Sequence, residues 1–195
     1  MNKTRLEAFS DGVLAIIITI MVLELKIPHG TDWEAIKPLL PVFLSYVLSF
    51  IYLGIYWNNH HHLLQATRWV NGKILWANLH LLFWLSLVPF ATGWMGENYF
   101  AQLPTALYGV VLLCAALAYE LLQYMIIKLH GSGHLLELAV GRDRKGKISL
   151  ACLLAAIPLA FVNQWIAGAL YIVIAAIWLI PDKRIESRIS ASISE

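Results

Sequence analysis

Charge is what this sequence is shortest of. Only 13% of its 195 residues are Asp, Glu, Lys or Arg, against about 25% in soluble globular domains. Hydrophobic residues make up 59%, and the mean hydropathy is +0.68. This shortage excludes an ordinary soluble domain and points to an all-α integral membrane protein. A net charge of +2 offers no basic footprint for nucleic acid. Cysteine is nearly absent too. Cys114 and Cys152 both fall in apolar stretches, which leaves no disulfide framework and no metal-ligating cysteine cluster. No glycine-rich phosphate loop, metalloprotease helix or nucleophile elbow occurs, so no enzyme is expected. There is no inverted repeat and no low-complexity segment, and the chain reads as a single membrane domain over residues 1–195.

What is present is a set of six apolar runs, at about 5–25, 38–64, 73–94, 104–128, 148–162 and 165–180. A helix rises about 1.5 Å per residue, so about 20 residues cross a hydrocarbon core of about 30 Å. Between the last two runs, Asn163-Gln164 leaves room only for a tight hairpin. The loops orient the set. Lys3, Arg5, Arg68, Lys73, Lys128, Arg142, Arg144, Lys145, Lys147, Lys183, Arg184 and Arg188 fall on one side, and Lys26 and Lys37 on the other. The bias of basic residues toward the cytoplasm therefore predicts that both termini are cytoplasmic. Trp33, Trp57, Trp69, Trp76, Trp94 and Trp165 stand near predicted span ends, as interfacial tryptophans do. The first run is preceded by Lys3 and Arg5, like a signal peptide. No small-x-small pattern follows Leu25, however, and Asp11 and Glu24 interrupt the run, so it reads as a retained helix. In the tail, Ile185, Ile189 and Ile193 recur every four residues, which fits either a short amphipathic helix or a frayed end.

The first run opens with Arg5-Leu-Glu-Ala-Phe9-Ser10-Asp11-Gly12. Charged groups inside a membrane span are costly and are usually functional. At about 100° per residue, Arg5 and Asp11 point about 120° apart and cannot pair along their own helix. With the predicted topology, the second span ends in Asn58-Asn59-His60-His61-His62 and the third begins with Asn78 and His80 near the same depth. Unsatisfied polar groups cost several kcal/mol in lipid. Arg5, Ser10 and Asp11 are therefore expected to join some of Asn58, Asn59, His60, His61, Asn78 and His80 in one network. That network is either structural glue for the first helix or, since histidine titrates near neutral pH, a proton path or pH sensor. His60-His61-His62 point about 100° apart on a helix, whereas helical metal ligands are spaced by three or four, so no metal site is expected. Glu120, in the fourth span, is either a functional carboxylate or a hydrogen-bonded residue near the membrane surface.

Further along the first run, Phe9, Gly12, Val13, Ile16, Ile20 and Leu23 share one stripe, with Thr19 at its edge. On priors such a stripe is a packing face. The opposite face, with Leu14, Ile17, Ile18, Met21 and Val22, is equally apolar, so the stripe is not needed to divide core from lipid. In a symmetric assembly it makes rings of apolar side chains, which gate ions by dewetting, and a ring of hydroxyls, which replace hydration water.

Arg5-x-x-x-Phe9-Ser10-Asp11 resembles the signature of the transmembrane protein 175 family of potassium channels. Trp57-Asn58-Asn59-His60-His61, Asn78-Leu79 and Pro89-Phe90-Ala91-Thr92 agree with it, and the six-span layout covers nearly the whole chain. The resemblance is to the prokaryotic, single-repeat members. It implies a homotetramer with four first helices around a central pore and no re-entrant pore loop. The sequence indeed has no Thr-Val-Gly-Tyr-Gly filter. It implies a constriction at Ile16, further apolar rings at Ile20 and Leu23, and a selectivity-related hydroxyl at Thr19. Arg5, Phe9, Ser10 and Asp11 are implied to hold the first helix without touching the ion. The implied activity is passive, potassium-selective conduction across the plasma (cell inner) membrane, discriminating weakly against sodium. Further copies of the chain and the lipid bilayer are its expected partners, and no cofactor is expected beyond the permeant potassium ion. The rival readings are a proton-coupled secondary transporter built on Glu120 and the histidines, and a scaffold without transport.

Overall fold

The computed structural model describes residues 3–67, 69–130 and 144–179, and every regular element among them is helical. Arg68, the basic cluster up to Asp143 and the tail with Ile185, Ile189 and Ile193 lie outside the described residues. Helix α1 is Lys3–Leu23. A short α2, Trp33–Ile36, is capped by Asp32, whose Oδ1 accepts from the Ala35 amide at 3.1 Å. A single 3-10 turn with Pro38 in it, Lys37–Leu39, then leads into α3, Leu40–Gln65, with Pro41 in its first turn. Proline suits these first-turn positions because its missing N–H is an unpaired donor there in any case. Asn71 caps α4, Gly72–Ser86, by accepting from the Ile74 amide at 3.0 Å. The remaining helices are α5, Val88–Glu97, α6, Gln102–His130, α7, Arg144–Val162, and α8, Gln164–Leu179.

The predicted span at 73–94 is in fact two helices, broken at Leu87. Pro89 supplies no amide to the turn before it, and its ring crowds the carbonyl four residues back. The chain answers with a tighter turn, Leu87 N–H to the Trp84 carbonyl at 3.2 Å, before α5 begins. Among the described residues, five segments are long and apolar enough to cross a membrane: 3–23, 33–65, 72–97, 102–130 and 145–162. Helix α8, of 16 residues, is a shorter apolar rod. It turns back from α7 at Asn163, whose Oδ1 accepts from the Trp165 amide at 2.9 Å.

Helix α6 is the central rod, packed against α4, α5, α7 and α8, while α1 lies on α3, α4 and α5. Small residues set the closest approaches. A Cβ on Gly96 of α5 would stand 2.7 Å from the Val42 Cα of α3 and would collide with the Ser45 hydroxyl. A Cβ on Gly109 of α6 would overlap the Tyr171 hydroxyl of α8. Buried hydroxyls then tie the rods together. Thr92 Oγ1 donates to the Val88 carbonyl at 2.6 Å, so its bond with Ser49 at 2.7 Å takes the Ser49 proton. Ser49 in turn accepts from Tyr108 at 3.0 Å. The result is one directional chain from α6 through α3 to α5. Tyr52 and Tyr171 donate to the Tyr171 and Thr105 carbonyls at 2.7 and 3.1 Å.

The α5–α6 link forces two aromatic residues into the left-handed region, Tyr99 at φ 52° and Phe100 at φ 58°. An L side chain costs about 1–2 kcal/mol there. Tyr99 is exposed, so Tyr99→Gly is expected to relieve that strain while losing little packing. The melting temperature in detergent should rise by about 2–4 °C for about 1 kcal/mol. A fall would mean that the Tyr99 ring contributes more than its backbone costs.

Candidate ion pathway

Helix α1 divides cleanly. Leu6, Ser10, Leu14, Ile17 and Met21 recur at steps of four, four, three and four, and all are buried. The other flank is bare: Phe9 is 53% exposed, Ile16 59%, Ile20 44% and Leu23 77%. Thr19 is exposed between them and sends its hydroxyl proton back to the Ala15 and Ile16 carbonyls, both at 3.0 Å. With its proton held by the helix, the Thr19 oxygen presents lone pairs to whatever passes the exposed flank. Two grooves border this flank. One, toward Leu23, is lined by Val13, Ile16, Ile20 and Glu24 with Pro89 and Phe90. The other, toward Lys3, is lined by Arg5, Leu6 and Phe9 with Leu75 and Leu79 of α4.

The buried flank is locked near its Lys3 end. Ser10 Oγ donates to the Leu6 carbonyl at 2.8 Å. Its oxygen must therefore accept from Asn78 Nδ2, at 2.9 Å. That fixes the Asn78 amide, so Asn78 Oδ1, at 2.7 Å from His60 Nε2, is an acceptor and His60 carries its proton on Nε2. Ser10, His60 and Asn78 are all buried. Three helices are thus joined by a chain of hydrogen bonds whose directions are all fixed. A second tie runs beside it: Asp11 accepts from Trp57 Nε1 at 3.0 Å, and the Trp57 ring stacks on His61 at 6.0 Å. Lys3 Nζ also reaches the Gln65 carbonyl at 3.4 Å.

The expected network is therefore partly assembled. Ser10, Asn78 and His60 come together, Asp11 finds Trp57, and His61 supports Trp57. Asn58 and His80 are exposed, and His80 accepts from Trp84 Nε1 at 3.0 Å within its own helix. Asn59 contributes its carbonyl, which accepts from the Tyr119 hydroxyl at 3.2 Å. Arg5 and Phe9 stand exposed at the groove with Leu75 and Leu79. Glu120 lies elsewhere. With Tyr56, Asn59, Gln123 and Trp178 it borders a cavity of about 70 Å³ between α3, α6, α7 and α8, whose lining includes no α1 residue. Sequence reasoning misses Trp57 as the partner of Asp11. The signal is there, since residues 57 and 61 share a helix face and indole is a donor that must be satisfied near a membrane. Ser45, Ser49 and Tyr52, at steps of four and three on one face of α3, likewise foreshadow the buried hydroxyl chain.

Residues 5–89, which carry the stripe and its polar lock, match the family model described as endosomal/lysosomal potassium channel TMEM175. The chain is 57% identical over 186 residues to a potassium channel of Chryseobacterium sp. (strain P1-3), covering 95% of this chain and 97% of that one. It is 34% identical over 146 residues to a potassium channel of Streptomyces collinus, covering 70% and 69%. Its fold matches the crystal structure of a lysosomal potassium-selective channel TMEM175 homolog from Chamaesiphon minutus, with a TM-score of 0.76, 25% identity, and coverage of 91% and 96%. The chain is a multi-pass membrane protein that belongs to the TMEM175 family, a family of ion channels and not of enzymes.

Proposed function

We propose that four copies of this chain form a passive cation channel of the plasma membrane that prefers potassium modestly over sodium, with α1 of each copy lining the pore. The observation that carries this reading is the bare flank of α1. Ile16, Thr19, Ile20 and Leu23 are left uncovered on a helix whose other side is locked by buried hydrogen bonds. A bare apolar stripe on a rigidly held helix suits a shared axis. Ile16 forms the constriction, Ile20 and Leu23 the next rings, and the proton-saturated Thr19 oxygen a weak ligand for a partly dehydrated cation. Ser10, Asp11, Trp57, His60, His61 and Asn78 hold α1 in place and do not meet the ion. Both termini face the cytoplasm, which puts Leu23 at the outer end.

The test is ion flux from liposomes containing the purified protein, with potassium and sodium gradients set separately. Flux down either gradient, faster for potassium, is expected without any other driving force. Flux that appears only with a proton gradient would transfer the function to a coupled transporter and to the Glu120 cavity.

A further inference from the structure

We infer that Glu24 makes the outer end of the α1 stripe a cation-collecting site for permeant monovalent ions. This rests on the pore reading above. Glu24 directly follows the last residue of α1 and shares a groove with Ile16 and Ile20, with Phe90 as its far wall. Its carboxylate lies over Gly93 of α5, with Oε2 3.4 Å from where a Cβ would stand. A Cβ at position 93 would meet the carboxylate only at ordinary van der Waals distance, so Glu24 rests against α5 at the edge of the groove. Glu24 is exposed there, on the groove that Ile16 and Ile20 border.

Two of the neighbouring carboxylates are matched by lysines of their own. Lys26, two residues on, is committed to Glu97 of α5 by an ion pair of 2.5 Å. That hydrogen bond and charge, with a smaller contribution from Glu24, hold the Lys26 ammonium above its ordinary pKa, so it stays a charged member of its pair. Glu34 and Lys37 form their own ion pair. The carbonyl end of α1 carries partial negative charge at the same place. Four such carboxylates around one axis raise the local cation concentration, strongly at low ionic strength and little at high.

Unitary conductance in planar bilayers tests this. Glu24→Gln is expected to lower potassium conductance about threefold near 10 mM salt, where the screening length is about 30 Å, and to match the parent near 1 M, where it is about 3 Å. The potassium-to-sodium ratio should not move, because the charge concentrates both ions alike. Lys26→Gln, which frees Glu97, should raise low-salt conductance, a gain that a damaged fold would not give. Equal conductance of Glu24→Gln and parent at low salt, or an equal loss at both salts, would overturn the inference while leaving the channel intact. Should Glu24→Gln fail to assemble, an unchanged Lys26→Gln conductance at low salt would overturn it. A parent protein that passes no cation at any salt would overturn the pore reading and this inference together.

Discussion

Ile16→Ala should raise potassium conductance about tenfold and draw the potassium-to-sodium permeability ratio toward one. Ile16 is the most exposed large apolar residue of the stripe inside the body of α1, and its branched side chain is what a ring of four would place at the axis. Cutting it back to Cβ widens the ring and lets water stay, which removes the cost of taking an ion through a dry constriction. A reduction of about 1.4 kcal/mol in that barrier is a tenfold rate. Selectivity should fall with it, because an ion that keeps its hydration shell meets the protein less closely. Reversal potentials under bi-ionic conditions give the ratio directly. Leu14→Ala is the matched control. Leu14 is 1% exposed on the opposite flank, so its truncation should cost about 2–5 kcal/mol of stability and leave the ratio alone. An unchanged ratio in Ile16→Ala would place the constriction elsewhere.

Asn78→Leu should have the opposite profile: a large loss of folded protein with ion preference intact in whatever survives. Leu has a similar shape but gives His60 Nε2–H no acceptor and takes the donor away from Ser10. Leaving a buried donor unpaired costs about 1–3 kcal/mol. The Ser10 proton keeps the Leu6 carbonyl, so most of the cost falls on His60. That makes the prediction specific, because adding His60→Leu removes the orphan and should recover much of the loss. Thermal unfolding in detergent across the four members of the cycle measures the coupling. If the double variant is no better than Asn78→Leu, the His60–Asn78 bond contributes little to stability. If the single variant folds normally but changes selectivity, the polar chain belongs to the ion path.

The two flanks of α1 are legible in the sequence alone, because a helical period of 3.6 residues separates Leu14, Ile17 and Met21 from Ile16, Ile20 and Leu23 whatever the surroundings. The polar belt is legible as a depth and not as a set of pairs. Asn78 and His80 are two residues apart, about 200° around the helix, so both cannot face α1. The same geometry separates Asn58 from His60. Which member of each pair turns inward depends on the rotation of α3 and α4, and that is set by contacts distant in sequence, such as Gly96 on Val42 and Tyr108 on Ser49. The break at Leu87 escapes a hydropathy reading because an apolar run hides it. Pro89 is visible, yet hydrophobicity is continuous across 73–94, and only the missing amide marks the division.

Among the described residues, the side-chain hydrogen bonds from α1 to other helices are made by residues 3 to 11, while beyond them its buried contacts are the aliphatic Leu14, Ile17 and Met21. Mechanically this is a beam hydrogen-bonded at one end and held by apolar packing along the rest. A small tilt about Ser10 displaces each side chain in proportion to its distance from that residue, about 9 Å for Ile16 and about 20 Å for Leu23 at 1.5 Å per residue. The same thermal sway therefore moves Leu23 about twice as far as Ile16. In the proposed pore, the ring at Ile16 would sit on the better-held part of the beam, where its radius is best defined, and the wider swing would be left to the tip, where a changing radius matters least.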